Sequence, residues 1–123
     1  NIVISALVYG GKPQEVLELI VVKQAIGITS LSLLVELVEA LTRKFNFTPE
    51  KVYLVEKKIR KNFILVRPTK ELDVVRDEDD NRVLEAAIEG KCDYIVTGDQ
   101  DLLALGEYKK IKIVTPVDFL ANL

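Results

Sequence analysis

Short, largely apolar runs that alternate with helix-forming segments constrain the fold of this chain more than any other feature. Five runs are strand candidates by local pattern: Ile2 to Val8, Ala25 to Thr29, Phe63 to Val66, Asp93 to Thr97 and Ile111 to Thr115. Because these runs are apolar on both faces, they predict a parallel sheet that is covered by helices. In such open sheets, binding sites form beyond the carboxyl ends of the strands.

Capping signals place the helices between these runs. Ser30 can cap one helix, and Thr48-Pro49-Glu50 is typical of the start of another, which we expect to reach about Arg60. A helix from Asp80 to Glu89 follows a charged loop over residues 69–79, and Gly90 is expected to close it as a left-handed stop. Shorter helices are predicted after Pro13, over Asp101 to Leu105 and after Pro116. No repeat or linker interrupts the pattern, so we expect a single domain over residues 1–123.

The composition excludes several classes of site. The chain has no His and one Cys, so a His-containing triad, a His-ligated zinc site and an all-thiolate zinc site cannot form within it. Any metal would need oxygen ligands, which favours Mg²⁺ or Mn²⁺. The net charge of −2 argues against a protein that coats DNA nonspecifically.

The sequence also bears on location. No apolar run reaches the roughly 18 residues that a membrane helix requires, so no interaction with a membrane is expected. The opening residues do not resemble a signal peptide, and a single Cys fits a reducing compartment. We therefore expect a cytoplasmic protein.

Helical periodicity separates the carboxylates that face inward from those that face solvent. Asp80 lies on the same face of its helix as Val83 and Leu84, whereas Asp79 and Glu85 point elsewhere. Asp80 could serve as an N-cap or face a functional cleft. In the helix after Ser30, Glu36 lies at the border of the apolar face, where exposure to solvent is the favoured interpretation.

The segment after the strand candidate Asp93 to Thr97 is the most informative. Asp99 emerges at the carboxyl end of that strand, where Gly98 would permit an unusual backbone conformation. Asp101 can cap the short helix that comes next, and this role is favoured over direct binding of a ligand. The sequence pattern assigns Asp99 no comparable structural role.

Carboxylates that converge in one cleft repel one another, and a divalent cation relieves that repulsion. A cation held in this way can bind phosphate oxygens and lower the pKa of a bound water. Hydrolysis of a phosphodiester is the chemistry that such a site favours, and it requires no His.

Two stretches resemble a known family. Residues 77–87, DEDDNRVLEAA, and residues 93–103, DYIVTGDQDLL, look like the second half of a PIN domain. The likeness is strongest to the toxin components of prokaryotic toxin–antitoxin pairs. Asn1 to Leu7 resembles the segment after the first strand of the family, and Ser30 to Leu41 resembles the helix that carries its Glu.

The resemblance implies a three-layer α/β/α sandwich with a central parallel sheet, an Mg²⁺- or Mn²⁺-dependent endoribonuclease, and often a homodimer. By position, Glu36, Asp80 and Asp99 match the acidic cluster of the family, and Asp101 is a frequent addition. Asn1 and Thr97 match its supporting polar positions. In this scheme Glu36 orients the attacking water or completes the metal shell.

The resemblance also changes the interpretation of the N-terminal part. Ile2 to Val8 would be the first helix and not a strand. The first Asp of the family would lie two residues before Asn1, and most of the first, central strand would then lie outside this chain.

Several alternatives stay open for partners. The basic residues could contact RNA phosphates, although a solvated helix face is favoured for Lys57, Lys58, Arg60, Lys61, Arg67 and Lys70. Arg76 and Arg82 lie nearer the acids and could neutralise a scissile phosphate, although ordinary surface ion pairing is favoured. An antitoxin protein is a further expected partner. The main alternative function is a noncatalytic PIN-like module for partner binding or dimerisation, and a phosphate-accepting receiver domain ranks below it.

Overall fold

The computed structural model describes residues 11–123, and within them the chain forms six helices and five strands. The helices are α1 (Lys12–Val21), α2 (Leu31–Arg43), α3 (Pro49–Asn62), α4 (Glu78–Glu89), α5 (Gln100–Leu105) and α6 (Pro116–Ala121). The strands are β1 (Gly27–Ser30), β2 (Phe63–Val66), β3 (Tyr94–Val96), β4 (Glu107–Tyr108) and β5 (Ile111–Val114).

Side-chain capping explains where two of the longer helices begin. Ser30 accepts a hydrogen bond from Leu33 N at 3.3 Å, and Thr48 accepts one from Lys51 N at 3.3 Å. Pro49 occupies the first turn of α3, where a backbone N–H would have no partner within the helix. Both predicted starts are confirmed, and α3 extends two residues beyond Arg60.

The strands pair in two sheets within the described residues. β1 lies parallel to β2, and β3 lies parallel to β5. β4 pairs with β5 in the antiparallel direction, a short addition that the sequence did not predict. α4 contacts β1 of one sheet and β3 of the other. Parallel strand pairs with helices packed on them confirm the predicted α/β class.

The main apolar core lies where α4 and α5 pack against β3 and β5. It comprises the buried side chains of Leu84, Ala87, Ile95, Leu102, Ile111 and Ile113. In β5 the two isoleucines are buried and Lys112 between them is exposed, as the two-residue period of a strand requires. Burial of these side chains fixes the end of β3 against the start of α5.

The ends of α4 differ from the prediction. The helix begins at Glu78 and not at Asp80, because Asp77 is the N-cap and accepts a hydrogen bond from Asp79 N at 2.9 Å. Gly90 has φ −81° and is not a left-handed stop. The left-handed residue is Lys91, with φ 52°.

Some expectations concern residues outside the described range. The assignment of Ile2 to Val8 to a helix and the absence of most of the first strand both fall there. Within residues 11–123, no helix combines the length and apolar character that crossing a lipid bilayer demands.

Gly90 is required by close packing between α4 and β1. A Cβ at this position would lie 2.6 Å from Ile28 Cγ2 and 3.2 Å from the Ala86 carbonyl oxygen. We expect Gly90→Ala to lower the free energy of unfolding by about 1–3 kcal/mol, because the contact must open. Urea unfolding measures the change.

Gly98→Ala is the matched control, because a Cβ there would meet no atom of residues 11–123 within 4 Å, chain neighbours aside. A loss of stability in Gly98→Ala as large as that in Gly90→Ala would contradict the packing explanation.

Candidate active site

Three carboxylates converge between the start of α4 and the start of α5. One oxygen each from Asp80, Asp99 and Asp101 lies within 4.8 Å of the other two. Asp80 is only 7% exposed, and Asp99 and Asp101 are half-buried. We call this group the carboxylate cluster. The structure thus brings together three of the four acids that the sequence assigned to the site.

Asp99 is held rigidly at the end of β3. Its Oδ2 accepts a hydrogen bond from Leu102 N at 2.9 Å, which makes Asp99 the N-cap of α5. The Oγ1 of Thr97 accepts a hydrogen bond from Asp99 N at 3.0 Å, and Thr97 itself is 3% exposed. Thr97 therefore orients the backbone that carries Asp99.

The expected division of roles between Asp99 and Asp101 was wrong. Asp101 was expected to cap the helix, and Asp99 was expected to have no structural role. Because α5 begins at Gln100, the capping position belongs to Asp99. Asp101 lies in the first turn of α5 and pairs with Arg76, whose Nη2 lies 3.0 Å from Asp101 Oδ1.

Asp80 lies in the first turn of α4. The capping role that the sequence left open for Asp80 belongs to Asp77. The Oδ2 of Asp80 is buried and has no hydrogen-bond partner among residues 11–123. Burial, a side-chain hydrogen bond shared with Asp99 and the negative charge of Asp99 raise the pKa of Asp80 to about 7. The charged form of Asp80 is therefore costly without a cation.

Glu36 lies apart from the carboxylate cluster. It is exposed on α2, a helix that packs against α4, and it is not one of the three acids whose oxygens lie within 4.8 Å. Partial burial and the negative charges of Asp79 and Asp77 raise the pKa of Glu36. Glu36 on α2 therefore interacts electrostatically with the acidic N-terminus of α4.

The segment over residues 67–77, which we call the connector, is anchored to one stripe of α4. Glu89 accepts a hydrogen bond from Thr69 N at 3.1 Å, and Glu85 accepts one from Leu72 N at 2.8 Å. Asn81 accepts from Val74 N and Val75 N at 2.9 and 3.0 Å and donates to Val75 O at 2.9 Å. These side chains succeed one another at four-residue spacing, so they share one face of the helix.

Sequence reasoning missed this stripe. Glu85 was expected to point away from the interior, yet it is 8% exposed and lies beneath the connector. Asn81 is 1% exposed, and its position next to Asp80 was the only available signal. Arg82 donates through Nη2 to Leu72 O at 3.2 Å and to Glu85 Oε2 at 2.7 Å. It therefore supports the connector, and the expectation of a surface ion pair holds only in part.

The remaining candidates lie elsewhere. Asn1 is outside the described residues. The basic side chains on and after α3 are all exposed: Lys57, Lys58, Arg60, Lys61, Arg67 and Lys70. Arg60 forms an ion pair with Glu56 at 3.1 Å, as a solvated helix face would.

The carboxylate cluster fits a hard divalent cation. Its donors are all carboxylate oxygens, the ligand type that Mg²⁺ and Mn²⁺ prefer. The buried Oδ2 of Asp80 and the raised pKa of its carboxyl are the features that a bound cation would relieve. Asp80, Asp99 and Asp101 are the residues that would hold it.

Comparisons with known proteins agree with the resemblance seen in the sequence. The sequence model of one family, described as PIN domain, matches residues 1–101. The match therefore includes Glu36 and all three members of the carboxylate cluster. An uncharacterized protein of Methanocaldococcus jannaschii is 30% identical over 133 aligned residues, which cover 98% of this chain and 85% of the relative.

The raised pKa of Asp80 predicts how stability changes with pH in metal-free protein. The folded state holds the Asp80 proton up to about pH 7, whereas the ordinary pKa is 3.8. The contribution of Asp80 to the free energy of unfolding therefore falls as pH rises from about 4 to about 7. We expect Asp80→Asn to remove this fall, measured by urea unfolding in EDTA at pH 4.5, 6 and 8.

The stability difference between Asp80→Asn and the wild type should therefore grow with pH. Asp118→Asn, at an exposed acid on α6, is the control and should follow the wild-type profile. Parallel pH profiles for Asp80→Asn and wild type would refute the explanation.

Asn81 should matter for stability because it satisfies three backbone groups of the connector. We expect Asn81→Ala to lower the free energy of unfolding by about 2–4 kcal/mol, since buried polar groups lose their partners. Asn62→Ala, which removes a single exposed hydrogen bond to Lys58 O, should cost less than about 1 kcal/mol. Equal losses in the two variants, measured by urea unfolding, would argue against an anchoring role.

Proposed function

The chain belongs to the PIN domain family, and from this premise we propose that it is a metal-dependent endoribonuclease that hydrolyses RNA phosphodiester bonds. PIN domains are generally nucleases, so membership of the family supports a hydrolase that acts on nucleic acid. The choice of RNA as substrate and the dependence on a metal are our proposal. The observation that supports the proposal is the convergence of Asp80, Asp99 and Asp101, with oxygens within 4.8 Å of one another.

The proposed roles of Asp80, Asp99, Asp101 and Thr97 derive from the geometry, and those of Glu36 and Asn1 from the resemblance. Asp80, Asp99 and Asp101 would hold Mg²⁺ or Mn²⁺. Thr97 positions Asp99 by accepting a hydrogen bond from Asp99 N through Oγ1. For Glu36 we carry over the role that the resemblance implies, in which it orients the attacking water or completes the metal shell, although it lies outside the carboxylate cluster. Asn1 keeps the supporting polar role that the resemblance implies.

The proposed mechanism relies on charge placement by these side chains. A bound divalent cation would supply an acidified water and neutralise charge on the phosphate. Asp80 would bind the cation in its carboxylate form, which requires loss of the proton that it retains up to about pH 7 in metal-free protein. Asp99 donates through its N to Thr97 Oγ1 and accepts from Leu102 N, so its carboxylate would already be in place when a cation binds.

We also propose a biological role for this nuclease. The resemblance of residues 77–87 and 93–103 to toxin components supports a toxin of a toxin–antitoxin pair. It also supports an antitoxin protein as partner, a homodimer and a cytoplasmic location. We further propose that residues 1–123 form one domain, because α4 contacts strands of both sheets.

Asp99→Asn tests the activity directly. Asn is also a favoured N-cap, so the variant should fold while the ligand charge is lost. We expect cleavage of single-stranded RNA in Mn²⁺ to fall by roughly two orders of magnitude or more. Asp118→Asn, at an exposed acid outside the cluster, should cleave like the wild type. A folded Asp99→Asn variant with normal activity would refute the role of Asp99.

Calorimetric titration of Mn²⁺ separates the enzyme from a noncatalytic module. Saturable binding to the wild type that is lost in Asp80→Ala supports the nuclease. The absence of binding at millimolar Mn²⁺ would support a module for partner binding or dimerisation.

A further inference from the structure

We propose that Arg76 binds a backbone phosphate of the RNA substrate at the mouth of the carboxylate cluster, an inference that rests on the proposed ribonuclease function. Arg76 lies in the connector, one residue before the N-cap of α4. Its ion pair with Asp101 links the connector to α5. Three observations carry the proposal: the contact with Asp101, the anchoring of the connector and the charge of the surroundings.

The contact uses only part of the guanidinium. Nη2 alone reaches Asp101, at 3.0 Å from Oδ1 and 3.3 Å from Oδ2. The side chain of Arg76 remains 87% exposed. Because a guanidinium has five N–H donors in a planar fork, most of its donors face solvent and can bind a second oxyanion.

The backbone of Arg76 is fixed on both sides. Val74 and Val75 are held by Asn81, which is almost fully buried, and Asp77 caps α4. The backbone that carries Arg76 is therefore held in place, although it belongs to a segment without helix or strand. When Arg76 binds a ligand, its side chain must still be ordered, whereas the backbone loses little freedom.

The surroundings are strongly acidic. Asp80, Asp99 and Asp101 have oxygens within 4.8 Å of one another. Asp77 and Asp79 lie beside them, at the N-cap and in the first turn of α4. An RNA phosphate that approaches this mouth is repelled by several carboxylates. The positive charge of Arg76 beside them reduces that repulsion. Arg82 is less accessible to a phosphate, because its side chain is only 26% exposed and lies against Leu72 O and Glu85.

The Arg76–Asp101 ion pair is too exposed to contribute much to the stability of the fold. Ion pairs that are this exposed contribute little to the free energy of unfolding. The pair can therefore open at small cost when a phosphate arrives. Asp101 accordingly holds the guanidinium near the cluster without sequestering it.

The experiment measures binding and cleavage separately. A fluorescently labelled single-stranded oligoribonucleotide is titrated with protein in the Asp99→Asn background, where cleavage is expected to be suppressed, and anisotropy is followed at several salt concentrations. Arg76→Ala, Arg76→Lys and the control Arg43→Ala are compared. Arg43 is an exposed arginine in the last turn of α2.

We expect Arg76→Ala to weaken RNA binding about fivefold and to reduce the salt slope by about 0.7, as the loss of one phosphate contact on a single strand does. Arg76→Lys should recover part of the affinity, because it retains the charge but not the planar fork. Arg43→Ala should bind RNA like the parent. In the otherwise wild-type enzyme, Arg76→Ala should raise KM about fivefold with kcat nearly unchanged.

Mn²⁺ calorimetry on the same variants separates the possible failures. Unchanged RNA binding in Arg76→Ala, or an equal loss in Arg43→Ala, would overturn the proposal and leave the nuclease intact. Weaker Mn²⁺ binding with unchanged RNA binding would make Arg76 a positioning residue for Asp101, which also overturns it. If the wild type neither cleaves nor binds RNA, the proposed function itself fails, and the inference fails with it.

Discussion

Bringing carboxylates together against their mutual repulsion is the constraint on which the arrangement of this molecule depends. Asp80, Asp99 and Asp101 come from two different helices, and their oxygens lie within 4.8 Å of one another. The fold offsets part of that cost, because Asp80 lies in the first turn of α4, where the positive end of the helix dipole favours a negative charge. The hydrogen bond from Leu102 N to Asp99 offsets a further part.

α4 connects this site to the rest of the fold because it is buried on two sides. One side carries Leu84 and Ala87 into the apolar core, and its C-terminal end approaches Ile28 closely at Gly90. The other side carries Asn81 and Glu85, which satisfy the backbone of the connector. A single helix thus places Asp80 relative to β3 and places Arg76 relative to Asp101.

The features that were predictable from the sequence are those set by local interactions. The capping of α2 by Ser30 and of α3 by Thr48 depends on residues within one turn, so pattern was sufficient. The capping role of Asp99 was missed because α5 has only six residues, and a shift of one residue exchanges the roles of Asp99 and Asp101. Burial of Asn81 and Glu85 depends on a connector without regular structure, whose path no periodicity reveals. The burial of these two side chains could therefore be recognised only from the three-dimensional structure.

Two buried carboxylates on α4 show why the site fits an external cation. Glu85, at 8% exposure, accepts hydrogen bonds from Leu72 N and from Arg82, so the chain itself supplies its partners. Asp80, at 7% exposure, has an Oδ2 without a partner among the described residues, and it faces two further carboxylates. Because a buried charge is stable only when it is paired, the charged form of Asp80 requires a partner that residues 11–123 do not provide. A divalent cation satisfies Asp80, Asp99 and Asp101 at once, whereas protonation would neutralise one carboxyl and remove a metal ligand.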